Sequence, residues 1–182
     1  MQKISYTKQS YADAVNKHIV RDFMFSHFQL SRIVGLPGPD IQQYLEWCKS
    51  KGFNEIEAWE YEPLVAIKQL SELQSELHSY NVGDIINAEL RADTLYDLDY
   101  CRTIKYMKDH MLKFKKNFIM TFSRRLKGFN PNMFFNMIGE KITSSKECNS
   151  PIAHTIYNTN NGRYIYAPYF DTSPMFSIAK IK

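Results

Sequence analysis

A short β-branched run, a tight turn and an amphipathic helix recur in that order along this chain, and the alternation limits the fold more than any other feature of the sequence. Ser31-Arg32-Ile33-Val34-Gly35-Leu36 is partly β-branched, and Pro37-Gly38-Pro39-Asp40 stops it sharply, as a strand running into a turn would read. Ile41, Tyr44, Leu45 and Cys48 then share one helix face, with Gly52 where a helix C-terminus needs a left-handed residue. The unit repeats: Glu55 to Glu60 alternates as a second strand, and Pro63 opens a helix through Leu64, Ile67, Leu70, Leu73 and Leu77. Tyr80 to Ile85 reads as a third strand, Thr94 to Leu98 as a fourth, Ile104 to Phe114 as a helix and Asn117 to Phe122 as a fifth strand. Phe134, Met137, Ile138 and Ile142 mark one more helix. Ahead of the first strand, Tyr11 to Phe28 is a helix with Val15, Ile19, Phe23, Phe25 and Phe28 as its apolar residues and Asp13, Lys17 and Arg21 elsewhere.

Strands alternating with helices imply an α/β three-layer sandwich, with a mainly parallel sheet covered on both faces. About nine residues separate strands three and four, fewer than the dozen or so of a helical crossover, so the helix there should be absent or a single turn. At roughly 3.3 Å per residue such a segment reaches about 30 Å, enough to cross two strands spaced ~4.8 Å apart. The ending differs. His154 to Tyr157 and Arg163 to Tyr166 flank Asn161-Gly162, and Phe176 to Ile181 alternates, so the sheet should close with an antiparallel strand or hairpin. Thr143 to Ser150, the most polar stretch, reads as a surface loop. No repeat or linker divides the chain, which is expected to form one domain over 1–182, with 1–30 a helical extension and 31–182 the α/β core.

At 182 residues and 44% hydrophobic content the chain can bury a core without staples. Seven Gly and seven Pro exclude collagen-like and broadly disordered classes. Cys48, Cys101 and Cys148 are odd in number and lack CxxC spacing, and the five histidines show no ligand spacing, so neither a disulfide framework nor a metal site is expected. Met1 to Ser10 has no apolar signal core, and no apolar run approaches the ~20 residues of a membrane span; a soluble, cytoplasmic protein, of a cell or of a host cell, is the expectation. A net charge of +4 allows nucleic-acid contact without demanding it.

In an open parallel sheet, ligands bind outside the carboxyl ends of the strands where strand order reverses. Gly35-Leu36-Pro37-Gly38 follows the first strand, where glycine permits close backbone approach, although Pro-Gly turns also simply end strands. Glu60 ends the second strand, placed to accept ribose hydroxyls or to sit solvated. Asp84 follows Gly83 after the third, and Asp97 and Asp99 end the fourth. Acids or glycines at four successive strand ends are harder to dismiss than any one of them.

These residues resemble the Rossmann-like class I S-adenosylmethionine-dependent methyltransferases over about Ser31 to Lys182. Ile33 to Gly38 is similar to the family's first loop at the cofactor methionine, with Gly35, Pro37 and Gly38 as cofactor contacts and without the full GxGxG. Glu60 stands at the ribose-binding acid, Asp84 at the residue that meets the adenine amine, and Asp97-Leu98-Asp99-Tyr100 at the fourth motif, where cofactor and substrate meet. The resemblance implies S-adenosylmethionine as cofactor, with Asp97 contacting it. Leu98 and Asp99 replace the two prolines common in amino-methylating nucleic-acid enzymes, and no Pro-Cys dipeptide points to cytosine C5 chemistry.

Methyl transfer needs alignment of nucleophile, methyl and sulfur, plus an acceptor for any proton released. Asp97 or Asp99 can orient an amine or hydroxyl, and Tyr100 can stack on a base; a carboxylate tying a loop is the competing role for Asp99. Arg124 and Arg125 follow the fifth strand and stand as substrate-binding candidates within a basic, aromatic stretch from Lys105 to Phe129, whose lysines can equally be a solvated helix face. Tyr169, in an aromatic, turn-rich segment between terminal strands, is a further candidate wall of the substrate pocket. Two functions follow: a methyltransferase with nucleic acid as the favoured acceptor, ahead of a protein or small molecule, or a methyltransferase-like module without catalysis that serves as a partner-binding or accessory subunit.

Overall fold

The computed structural model describes residues 15–38, 40–73, 77, 79–103, 107–123, 130–169 and 175–182. Strand β1 (Arg32–Gly35) is buried along its whole length between two parallel neighbours, β2 (Glu55–Glu60) and β4 (Thr94–Thr103). Beyond β2 lies β3 (Ser79–Val82) and beyond β4 lies β5 (Phe118–Ser123), both parallel. Strand order therefore reverses between β1 and β4. Four antiparallel strands extend the sheet from β5: β9 (Met175–Lys180), β8 (Gly162–Pro168), β7 (His154–Thr159) and β6 (Ile142–Cys148), giving the order β3-β2-β1-β4-β5-β9-β8-β7-β6.

Alternating side chains send each strand's residues into two cores. Ile33, Leu95, Ile119 and Ala179 join one core with helices α1 (Val15–Phe25) and α2 (Ile41–Ser50). Val34, Tyr96, Leu98, Met120, Phe122 and Ile178 join the other, with α4 (Lys108–Lys113) and α5 (Asn132–Met137). Helix α3 (Pro63–Glu72) covers the first face beside α2, burying only Ala66 and Gln69. The three-layer α/β sandwich is thus the observed architecture. Asp40 caps α2 through the Gln43 amide at 3.0 Å, and Gly52 follows with φ 91°, a value that favours glycine.

Several boundaries differ from the sequence reading. The crossover from β3 to β4 holds a single 3₁₀ turn, Ile85–Asn87, as its length required. Helix α3 stops at Glu72 rather than Leu77, although Leu73 and Leu77 still pack on the first core. Ile142 begins β6 rather than ending a helix, and the polar stretch read as a loop is that strand: Thr143 to Glu147 are exposed at the sheet edge, so no hydrophobic alternation marked it. The antiparallel ending comprises four strands. Strand β4 runs to Thr103, so Asp97, Asp99 and Tyr100 lie within it and not after it.

Helix α1 presents a different face from the expected one. Lys17, Val20, Arg21 and Met24 are buried at i, i+3, i+4 and i+7, while Ile19 is 43% exposed. Its packing carries two basic residues into the protein, which a count of apolar positions does not reveal. Among the described residues no helix is long and apolar enough to cross a membrane.

Truncating Val20 removes two fully buried methyl groups, so Val20→Ala should lower unfolding free energy by about 2 kcal/mol. Ile19→Ala should change it by less than about 1 kcal/mol. Urea denaturation of the two variants decides which face is buried, and equal losses would contradict the packing.

Candidate functional site

Two acids on β4 meet two bases on α1. Residues four apart on a helix rise about 6 Å and residues two apart on a strand about 6.6 Å, so side chains at those spacings can pair in register. Arg21 Nη2 lies 2.6 Å from Asp97 Oδ2, and Lys17 pairs with Asp99 one step further along, the helix running against the strand. The Tyr44 hydroxyl, from α2, donates to the same Asp97 oxygen at 3.0 Å. The Arg21 guanidinium also stands 4.8 Å from the Trp47 ring centre, an additional cation–π contact.

Burial sets the ionisation of this cluster. It holds the Asp97 carboxyl above its ordinary value, against the opposing pull of Arg21, and it raises the Tyr44 phenol, an effect that Asp97 reinforces. Burial, the largest single influence, would lower the Lys17 ammonium, but the charge and hydrogen bond of Asp99 together with the Tyr169 phenol outweigh it, and the pKa ends above its ordinary 10.5. Burial pushes the Cys48 thiol up to about 12, which removes it as a nucleophile. Tyr169 is also driven to about 12 by burial and by Asp99, and its hydroxyl lies 3.2 Å from Ser177 Oγ. It lies beneath the acid pair and not on an open wall.

The edge beside this cluster joins the other candidates. Leu36 N donates to the Asp97 carbonyl at 3.2 Å, which draws the first loop against β4. Gln69, buried on α3, donates to the Gly38 carbonyl at 2.5 Å and to Glu60 Oε2 at 3.4 Å, and accepts from the Tyr80 hydroxyl at 2.5 Å. Glu60 Oε1 accepts from Glu62 N at 3.0 Å, and Gly83 N donates to the Glu60 carbonyl at 2.8 Å. Gly35, Gly38, Glu60, Asp97 and the Gly83 backbone therefore share one edge, with Pro37 buried in the loop between the first two.

Two candidates point elsewhere. Tyr100 follows Asp99 by one residue, so the pleat turns it to the opposite face, where its hydroxyl lies 2.6 Å from His110 Nδ1. Asp84 accepts from Ile86 N at 3.0 Å and lies 3.3 Å from His110 Nε2, so its carboxylate belongs to that second cluster. Grouping Asp97, Asp99 and Tyr100 at one point is thus corrected by strand alternation. Arg124 and Arg125, and much of the basic stretch around them, lie outside the described residues. Lys17, Arg21, Tyr44, Gln69 and His110 were not among the sequence candidates. Lys17 and Arg21 share a face with Val20 and Met24, but as basic residues they read as the solvent side of the helix.

No protein-family model matches the sequence, and no curated protein is recognisably similar to it. Solved structures are similar in shape. A SAM-dependent methyltransferase from Leishmania major superposes with a TM-score of 0.59 at 13% identity, covering 98% of this chain and 78% of that one. An S-adenosylmethionine-dependent methyltransferase assigned in Listeria monocytogenes gives 0.52 at 12% identity, with 91% and 97% covered. The N-methyltransferase NodS of Bradyrhizobium japonicum gives 0.51 at 8% identity, with 95% and 96% covered. With the sheet order, these establish the fold: the chain has the Rossmann-like architecture of the class I S-adenosylmethionine-dependent methyltransferases.

That cofactor fits the edge in part. Glu60 is half-buried beside the first loop, where Gly38 takes φ 73°, and its carboxylate is a chemically suitable acceptor for ribose hydroxyls. At Gly35 the space that a missing side chain would leave is filled from within: a methyl group there would overlap the Tyr44 hydroxyl and come within 3.1 Å of its ring. An amino-acid end of the cofactor that entered above Gly35 would meet Tyr44 and the Asp97–Arg21 pair.

Removing one partner of a buried ion pair leaves a charge uncompensated, so Arg21→Met should cost about 3–5 kcal/mol. Lys51→Met, which breaks the half-exposed pair with Asp22, should cost no more than about 1 kcal/mol in the same denaturation assay. Because the Lys17 pKa is raised in the folded state, its contribution is complete below pH 10.5 and is lost as pH rises beyond that value. Thermal unfolding across pH 9 to 12 should show this alkaline decline in the wild type and a shallower one in Lys17→Met.

Proposed function

We propose that the chain is an S-adenosylmethionine-dependent methyltransferase whose cofactor lies along the carboxyl edge of β1, β2 and β4. The observation that carries this reading is the linked edge itself, in which Gln69 ties Gly38 to Glu60 beside the end of β1, next to the β1–β4 reversal of strand order where an α/β sheet of this kind takes its ligand. Gly35, Pro37 and Gly38 would line the cofactor and Glu60 would accept its ribose hydroxyls, while the Asp84 carboxylate stays with His110. The cofactor, when bound, supplies an electrophilic methyl group.

On this reading Asp99 holds the acceptor. Lys17 engages one side of its carboxylate, while Oδ1 is buried with no hydrogen-bond partner among the described residues, so acceptor capacity is left there. Asp97 has both Arg21 and Tyr44 on one oxygen and serves to position β4 against the first loop. Nucleic acid is the favoured methyl acceptor, on the strength of the net positive charge and the basic, aromatic stretch that contains Arg124 and Arg125. An intracellular site of action accords with Cys48 and Cys148, which are free. A second reading, a partner-binding module without catalysis, is favoured by one observation, the Tyr44 hydroxyl over Gly35.

Calorimetric titration with S-adenosylmethionine and S-adenosylhomocysteine tests the first reading. Glu60→Gln should weaken both by roughly 10- to 100-fold, the value of lost hydrogen bonds to a charged group. Labelled methyl transfer to RNA or DNA should fall by ~10²-fold or more in Asp99→Asn with cofactor affinity retained. Absence of cofactor binding at millimolar concentration would leave the module reading.

A further inference from the structure

We propose that Tyr44 and Arg21 are selectivity-determining residues that make the site favour the nucleoside half of its ligand over the amino-acid half. The inference rests on the cofactor reading above and deepens it. Glycine at the end of a central strand leaves a hollow, and in this chain Tyr44 occupies the hollow at Gly35. Its hydroxyl is anchored there by Asp97, 3.0 Å away, and the same carboxylate oxygen is held by Arg21 at 2.6 Å. Any cationic group of a ligand that reached Asp97 would have to displace a guanidinium already paired with it, and any group entering above Gly35 would have to displace the phenol.

The displacement is confined to side chains. Val20, Met24 and Phe25 anchor α1 in the first core, and Ile41, Leu45 and Cys48 anchor α2, so neither helix leaves without exposing fully buried apolar surface. The block is therefore built into the folded protein and does not hang on a lid. It also stops at the β1–β4 boundary. Glu60 and Gly38 are reached through Gln69, from α3, whereas Asp97 is reached through Tyr44 and Arg21, from α2 and α1. A ribose-bearing base without a charged tail can bind at Glu60 with the Tyr44–Asp97–Arg21 contacts intact. A ligand with a sulfonium and an amino-acid end must break them.

The test compares adenosine, S-adenosylmethionine and S-adenosylhomocysteine by calorimetry on the full chain and on Tyr44→Phe, which removes the hydroxyl from above Gly35 and keeps the ring. In the wild type the three ligands should bind within about threefold of one another, since the tail gains nothing net. In Tyr44→Phe the affinity for S-adenosylmethionine should rise at least about tenfold while that for adenosine stays within about twofold. Arg21→Met provides a second readout that survives weak folding: saturating S-adenosylmethionine should raise its melting temperature more than that of the wild type, because the ligand's cation replaces the missing guanidinium beside Asp97. Unchanged ligand ratios in Tyr44→Phe, or wild-type S-adenosylmethionine binding tenfold or more tighter than adenosine, would overturn the selectivity role while leaving the cofactor reading in place. Failure of all three ligands to bind either protein would overturn the cofactor reading and this inference with it.

Discussion

Two buried ion pairs between α1 and β4 hold the organisation of this protein together. Taking four charges out of water costs several kcal/mol for each ion, and only close pairing with added hydrogen bonds offsets that cost. Lys17 with Asp99, and Arg21 with Asp97 and Tyr44, meet the requirement because helix rise and strand rise nearly match over one step of each. The match fixes where α1 lies on the sheet, and with it the hydroxyl above Gly35 and the shape of the edge that a ligand would meet.

The sheet divides its chemistry by parity. Odd positions of β4, Leu95, Asp97 and Asp99, face α1 and α2; even positions, Tyr96, Leu98 and Tyr100, face α4 and the 3₁₀ turn. The second face carries its own polar cluster, in which Asp84 and Tyr100 bracket His110. Burial raises the Tyr100 phenol, so its hydroxyl keeps its proton; it lies against His110 Nδ1, while His110 Nε2 faces Asp84. This cluster ties the β3–β4 crossover to α4, on the side of the sheet away from Asp97.

Much of this was open to a reader of the sequence. The Pro37-Gly38 stop, the helix face through Ile41, Tyr44, Leu45 and Cys48, and the short crossover before Thr94 each rest on local chemistry, and each holds in the structure. Polar β6 was hidden because an exposed edge strand needs no apolar alternation. The buried face of α1 was hidden because lysine and arginine ordinarily mark the solvent side, and only their partners on β4 reverse that.

By itself the sequence determined the order of elements, the α/β class and the set of acids and glycines near the strand ends, because turns, helix periods and strand alternation act over a few residues. Only the tertiary structure decided which of those acids is accessible. Asp97 is separated from Tyr44 by 53 residues and from Arg21 by 76, and no local pattern encodes those partnerships. They exist because the fold brings α1, α2 and β4 to one point in a region too dry to leave a carboxylate unpaired.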